Sequence, residues 1–469
     1  MTNLNYKIEP CGHGDDQFAE VIKVVDAYNA SVTAETPKAL SRNMGQVFTH
    51  SAMANQLAQL SKKKTTHAII GDPGAGNGQL SINLAAKLTH CAQDIDIFGF
   101  ETDQRLHQNW DDVWALFKSH SKKNRNIQSR MFDDFCNHAA VLMETGARPE
   151  CPKPSHITMN PPYNKLSKST DLARTFLNYG LKITNYYTAF IALAVRWLQD
   201  DGELTAILPR SFTSGETFHP FREWLLKQVT VDHIILYKSR SCFTNILQEN
   251  LIIKLTKRDP LKHAKSVRIT LTDTPTSKPD YDLILPYNDA IKTSGFCLPR
   301  RAEDIKLINE NNARAQTLNQ AGFHLSTGKV ELHRLKNGNE TTILYARDFS
   351  NGEITWAENR KPRTVCAAAN QVLDLPENGD GYVGLKRISS PESNTRLFPV
   401  FINRETTGLT KICLENHVQF FHDGQLKPIN KQSAMALIKL LNSSTANAVI
   451  CAHNGTTQIN NSDIARLKM

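Results

Sequence analysis

The run His67-Ala68-Ile69-Ile70, followed one residue later by Asp72-Pro73-Gly74-Ala75-Gly76-Asn77-Gly78, decides how the whole chain is read. The first part reads as a buried strand, the second as a tight glycine loop, and Leu80 through Leu88 as the helix that follows. Outward from this βα unit the pattern repeats. Ile95 to Phe100 is a second apolar run and ends in Glu101-Thr102-Asp103; a third leads to Phe132-Asp133-Asp134-Phe135. Ser155-His156-Ile157-Thr158-Met159 then reaches Asn160-Pro161-Pro162-Tyr163 as a fourth strand would. Tyr186 to Leu198 reads as a helix, and Leu204 to Leu208, Val231 to Tyr237 and Leu251 to Leu255 read as strands. Strands alternating with helices predict an α/β chain with a Rossmann-like doubly wound sheet, whose ligands sit at the carboxyl ends of the strands.

Upstream, Met53, Leu57 and Leu60 share one face of a helix, so residues up to about 64 read as a helical extension of this domain. The alternation fades after Arg258-Asp259-Pro260. A first domain over 1–259 and a second, mixed α+β domain over 260–469 are therefore expected, which suits a chain of 469 residues.

Composition bounds the function. With 40% hydrophobic and 22% charged residues the chain can bury a substantial core. A formal charge of +9 makes a polyanionic partner plausible without identifying it. The nine cysteines form no C-x-x-C pair, so neither a zinc site nor a secreted disulfide framework is suggested, and no metal site is expected. The polar start of the chain lacks the pattern of a signal peptide, and no apolar run has the length of a membrane span. A cytoplasmic protein without a membrane partner is the expectation.

Each strand end offers chemistry. The glycines let backbone approach a bulky ligand without Cβ clashes; their G-x-G-x-G spacing is neither a P-loop nor the dinucleotide pattern. Glu101, with Asp103 as its competitor, is placed to accept hydrogen bonds from two ribose hydroxyls. Asp134 suits an adenine amino group and Phe135 the adenine ring. Asn160 and the Pro161 carbonyl can accept both protons of a planar exocyclic amine, aiming its lone pair at an incoming methyl group. Two prolines stiffen these acceptors, and Tyr163 is positioned to stack on an extruded base.

In these segments the chain resembles the gamma-class adenine-N6 DNA methyltransferases of type II restriction-modification systems. Gly45-Gln46-Val47-Phe48-Thr49 looks like the family segment before the glycine loop, with His50 where a proline is usual. Asp72 to Gly78, Glu101, Asp134-Phe135 and Asn160 to Tyr163 match the remaining motifs in the family's order. The resemblance implies a class I S-adenosylmethionine-dependent methyltransferase with a target-recognition domain. Phe48, Thr49, Asp72, Pro73, Gly74, Gly76, Gly78, Glu101, Asp134, Phe135 and Asn160 would then hold the cofactor. Asn160 to Tyr163 would be catalytic, and Tyr163 and Phe243 would lie against a flipped adenine.

Likeness continues through Asn185 to Phe190, Leu208 to Phe212, Phe218 to Arg222 and Ser239 to Asn250. In the second half it covers Leu325-Ser326-Thr327-Gly328, Lys386-Arg387-Ile388-Ser389 and Thr456-Thr457-Gln458-Ile459-Asn460. The implied partners are double-stranded DNA and a separate endonuclease acting on the same site. Lys329, Arg334, Lys336, Arg360, Lys361, Arg363, Lys386 and Arg387 are candidate DNA contacts. Two rival readings are an RNA or protein-glutamine methyltransferase, whose likeness stops at the first half, and a DNA-binding relative without catalysis.

Overall fold

A computed structural model describes residues 16–36, 48–238, 249–334, 338–356, 363–390, 393 and 395–469. The chain divides into two compact units, Met1–Pro209 with His219–Thr293, and Arg210–Phe218 with Ser294–Met469.

The first unit is built on a nine-stranded sheet. Its strands are β1 (His67–Pro73), β2 (Asp94–Phe100), β3 (Asn126–Phe132), β4 (His156–Met159), β5 (Glu203–Pro209), β6 (Thr230–Tyr237), β7 (Asn250–Thr256), β8 (Ser266–Thr272) and β9 (Tyr281–Pro286). They lie in the order β3-β2-β1-β4-β5-β7-β6-β8-β9. β1 to β5 are parallel, and β7 runs antiparallel to both β5 and β6. The first seven positions carry the strand order and the single reversed strand of class I S-adenosylmethionine-dependent methyltransferases, the predicted fold class. Strand order reverses between β1 and β4, where such sheets open a crevice at their carboxyl ends.

The expected boundary after Asp259 differs from the structure. Asp259 caps a short helix, Pro260–His263, that only links β7 to β8. β8 then pairs parallel with β6, and β9 antiparallel with β8, so the sheet continues to Pro286. Each added pair satisfies backbone groups that an edge strand would leave open.

Helices cover the sheet. α1 (Ala19–Glu35) sets Val21 and Val25 into a core with Trp110, Trp114 and Phe117 of α4 (His107–His120) and with Ile70, Ile95 and Ile97 of the strands. α2 (Ser51–Leu60) packs Met53, Leu57 and Leu60 against Ile207, Ile235 and Ile252. His50 caps α2, its Nδ1 accepting from the Ala52 N–H at 3.3 Å. α3 (Gln79–Leu88) follows the glycine loop, and α5 (Tyr186–Trp197) is buried along almost its whole length.

The second unit is mixed α+β, as expected. One four-stranded sheet comprises His324–Thr327, Val418–His422, Gly381–Lys386 and Pro399–Asn403. Another comprises Thr364–Ala367, Asn339–Leu344, Lys411–Leu414 and Val372–Asp374. A core including Leu344, Tyr382, Ile402, Ile412 and Phe420 joins residues of both sheets. A second core joins Val383, Leu385 and Phe421 to Leu437, Leu441 and Val449 of the helices Lys431–Leu441 and Ser444–His453. Among the described residues no single helix is long and apolar enough to cross a membrane.

Candidate active site

Each of the first four strands delivers its motif to one cleft, because a parallel strand places the residues after it at its carboxyl end. About 790 Å³ of empty space, part of it open to solvent, lies within the cleft. Phe48, Thr49, Gly74, Gly76, Glu101, Asp134, Phe135, Asn160 and Pro162 line it, joined by Asn29, Asn77, Gln79, Thr102, Asp133 and Phe190, which sequence reasoning did not single out. Asp72, Pro73, Gly78, Pro161 and Tyr163 are not part of its wall. Phe243 lies outside the described residues, as does the segment 45–47.

The glycine loop turns on left-handed backbone: φ is +78° at Gly74, +55° at Gly76 and +85° at Gly78. A Cβ on Gly76 would stand 3.4 Å from the Phe48 ring. The resulting space suits a ligand that runs close over the backbone. Glu101 closes the loop from the next strand. One carboxylate oxygen accepts from the Gly76 N–H at 3.0 Å and the other from the Asp103 N–H at 2.9 Å. Burial pushes its pKa up, and these two N–H donors oppose the rise.

Glu101 and Asp103 stand in different surroundings. Arg105 grips both Asp103 oxygens, Nε to Oδ1 at 2.8 Å and Nη2 to Oδ2 at 2.6 Å, and of the two acids Glu101 is the one that lines the cleft. Asp72 faces the other way. Fully buried, it accepts from the Ser81 N–H of α3 at 3.3 Å through Oδ2, while Oδ1 has no partner. Burial raises its pKa from 3.8 to about 7, the Ser81 hydrogen bonds oppose, and the nearby Glu101 charge adds to the rise.

The part of the cleft at the end of β3 is aromatic. Phe135 packs against Phe190 at 5.3 Å and edge-on to Phe100 at 5.2 Å. Arg148 lies 5.2 Å over the Phe135 ring and 4.4 Å over Phe100, and donates to the Phe135 carbonyl at 2.8 Å. Asp134 accepts from the Cys136 N–H at 2.8 Å, which holds the turn after β3.

At the end of β4, the Asn160 carboxamide is held from both sides. Its Nδ2 donates to Thr49 Oγ1 at 3.1 Å, and its Oδ1 accepts from the Tyr163 hydroxyl at 2.7 Å. The Tyr163 ring stands edge-on to Tyr187 at 6.4 Å, and burial pushes the phenol pKa well up, so it remains a donor. Thr49 thus ties the segment before the glycine loop to the asparagine, 111 residues apart in sequence.

The chain is similar to known proteins. Residues 81–243 match the model of the Eco57I restriction-modification methylase family. The type II methyltransferase M.BsuBI of Bacillus subtilis is 29% identical over 444 residues, 91% of this chain and 87% of that protein. M.PstI of Providencia stuartii, also a type II methyltransferase, is 25% identical over 95% of this chain and 90% of its own. The chain is a DNA methyltransferase of the restriction-modification type. Its methyl donor is S-adenosylmethionine, and the glycine loop, Glu101 and the Phe135 pocket offer groups suited to a nucleoside sulfonium. Among solved structures, a class I S-adenosylmethionine-dependent methyltransferase of Listeria monocytogenes aligns at 15% identity with a TM-score of 0.43, covering 56% of this chain and 76% of its own. The type IIG restriction endonuclease BpuSI aligns at 13% identity with a TM-score of 0.47, covering 96% of the methyltransferase and 61% of its own chain.

In the second unit of the methyltransferase, two segments far apart in sequence lie side by side. Ile388 bridges to Gln458, Ser389 N–H donates to the Thr457 carbonyl at 2.9 Å, and Ile459 N–H to the Arg387 carbonyl at 2.8 Å. Arg387 is held by the Asn416 carbonyl at 3.3 Å and by the Gln458 amide oxygen, turned toward it, at 2.6 Å. Arg363 pairs with buried Asp348 at 2.7 Å and lies 5.2 Å over Trp356, while Lys386 lies 5.5 Å over Phe398. Lys329 donates to the Asn370 carbonyl at 3.3 Å. Lys336, Arg360 and Lys361 lie outside the described residues, as does the side chain of Arg334.

Proposed function

We propose that this enzyme is a site-specific, adenine-specific DNA methyltransferase that transfers the methyl group to N6 of an adenine flipped out of duplex DNA. The observation that carries this reading is the Thr49–Asn160–Tyr163 hydrogen-bond chain, two of whose members, Thr49 and Asn160, line the same cleft as Glu101 and Phe135. The N6 lone pair is delocalised into the ring, so the enzyme's task is to localise and aim it. Asn160 Oδ1, an acceptor oriented by the Tyr163 hydroxyl, accepts one N6 proton, and the Pro161 carbonyl accepts the other. The positively charged sulfur of the donor activates the methyl group; as the N–C bond forms and the S–C bond breaks, one N6 proton leaves to water. Glu101 takes the ribose hydroxyls, Phe135 and Asp134 the adenine of the donor, and Phe48 and Thr49 the side toward its methionine part. Asp72, Pro73 and Gly78 shape the loop from behind. Tyr163 and Phe243 flank the flipped base.

The second unit serves as the target-recognition domain in this reading, with Lys329, Arg363 and Lys386 among its DNA contacts. The protein is a cytoplasmic modification enzyme paired with a separate endonuclease of the same specificity. The test is mass spectrometry of nucleosides from duplex DNA incubated with the enzyme and S-adenosylmethionine. N6-methyldeoxyadenosine is expected, lost in Asn160→Ala. Methyl transfer to cytosine, to RNA or to a release-factor glutamine in its place would overturn the assignment, and Mg²⁺-dependent cleavage by the purified chain would remove the separate endonuclease.

A further inference from the structure

Four side-chain amides run in one direction through the first unit. Asn109 Nδ2 of α4 donates to Asn77 Oδ1 at 3.1 Å; Asn77 Nδ2 donates to Asn29 Oδ1 of α1 at 2.9 Å; Asn29 Nδ2 donates to Gln79 Oε1 at 3.2 Å. The chain ends on Gln79 Nε2, which has no partner although the residue is only 4% exposed. Gln79 is the first residue of α3, and together with Asn29 and Asn77 it lines the cleft. A buried amide donor left unpaired costs about 1–3 kcal/mol, and each amide upstream is oriented so that the free group is a donor rather than an acceptor.

Charge narrows what it meets. Glu101, Asp133 and Asp134 line the cleft, and no lysine or arginine does so among the described residues. An anionic group entering there is received by neutral donors and by the positive end of the ten-residue helix α3. The donor's only anionic group is the carboxylate of its amino-acid end, and the acids facing the cleft are unsuited to it.

We infer that Gln79 donates through Nε2 to the carboxylate of S-adenosylmethionine, and that Asn29, on the N-terminal helix α1, is the positioning residue that orients it through Oε1. The inference rests on the cofactor assignment and adds a residue outside the glycine loop proper, linked to a helix outside the strand-end motifs.

The test compares two ligands by isothermal titration of the full chain. S-adenosylhomocysteine carries the amino-acid end; 5′-methylthioadenosine keeps the adenosine and thioether and lacks that end. Gln79→Glu preserves the acceptor for Asn29 and replaces the free donor with a carboxylate oxygen. It is expected to weaken S-adenosylhomocysteine by tenfold or more and to leave methylthioadenosine within twofold of wild type. Asn29→Ala should move the first ligand alone in the same direction by a few fold, and Asn29→Asp, which loses the donor to Gln79, likewise. Equal weakening of both ligands by Gln79→Glu would mark a structural role and overturn the inference, as would unchanged binding of both. Should Gln79→Glu fail to bind methylthioadenosine because it misfolds, Gln79→Met supplies the same comparison, and Asn29→Ala decides alone if both misfold. Wild-type protein that binds neither ligand would instead refute the cofactor assignment.

Discussion

Replacing Asp72 by asparagine should stabilise the first unit, and by an amount that grows with pH. Asp72 is fully buried, its Oδ2 accepts from the Ser81 N–H, and its pKa is raised to about 7 from the ordinary 3.8. An acid whose folded pKa is raised binds protons more tightly in the folded state. Between those two pKa values the native form holds a proton that the unfolded form has released, so stability falls as pH rises through that window. With about 1.4 kcal/mol per pKa unit, the penalty is roughly 0.5 kcal/mol at pH 4, roughly 2 at pH 5.5 and roughly 4 at pH 8. Asparagine keeps an acceptor for Ser81 and carries no charge to desolvate. The measurement is urea unfolding of both proteins at pH 5.5 and pH 8, followed by tryptophan fluorescence, since Trp110, Trp114 and Trp197 are all buried in the first unit. The stability difference in favour of Asp72→Asn should widen by about 2 kcal/mol between the two pH values. A difference that is constant with pH, or that narrows toward pH 8, would refute the reasoning, because the ionised carboxylate would then be stabilised in the fold.

Three further outcomes follow from the site. Glu101→Ala should weaken S-adenosylhomocysteine by about tenfold or more in calorimetry while duplex DNA affinity in a gel-shift assay stays within about twofold, whereas Asp103→Asn should leave cofactor affinity near wild type because Arg105 occupies that carboxylate. Asn160→Ala should lower kcat for methyl transfer by about 10²–10³-fold in a radiolabel assay and cofactor affinity by much less, since the lost acceptor acts chiefly as the amine reshapes; an equal loss in cofactor affinity would assign the residue to binding alone. Gly78→Ala places a Cβ at φ +85° and 3.2 Å from the Trp110 ring, and should destabilise the fold by about 2 kcal/mol in denaturant titration; a neutral substitution would mean that the loop relaxes freely.

The sheet as far as β7 was legible because each strand is an apolar run punctuated by the polar residues that become the site, and four such punctuations converge only in a doubly wound sheet. β9 escaped that logic. Its burial alternates along an edge position, with Asp282, Ile284 and Pro286 outward and Tyr281, Leu283 and Leu285 on the more buried face, so it gives no continuous apolar signal, and the Arg258-Asp259-Pro260 punctuation before β8 marks a short capped helix instead of a domain limit. Among the acids, residue type revealed a carboxylate at the end of β1 but not its direction. Asp72 turns inward to Ser81 because the first N–H groups of α3 need an acceptor, a demand set by where the helix begins. The pairing of Asp103 was readable in principle, since Arg105 stands two residues beyond it and can fork both of its oxygens.

Asn29 carries the subtlest signal. In α1 it continues the stripe of Val21 and Val25 at intervals of four, the spacing of a helix face turned to the core. A polar side chain on such a stripe must find partners inside the protein, and an amide, which offers both donor and acceptor, suits a place within a directed chain of hydrogen bonds. Asn29 accepts from Asn77 in the glycine loop and donates to Gln79 at the head of α3. The N-terminal helix is therefore joined to the cofactor cleft by hydrogen bonds whose direction depends on every member, and changing Asn29 removes the partner of Asn77 and of Gln79 without substituting a residue of the glycine loop.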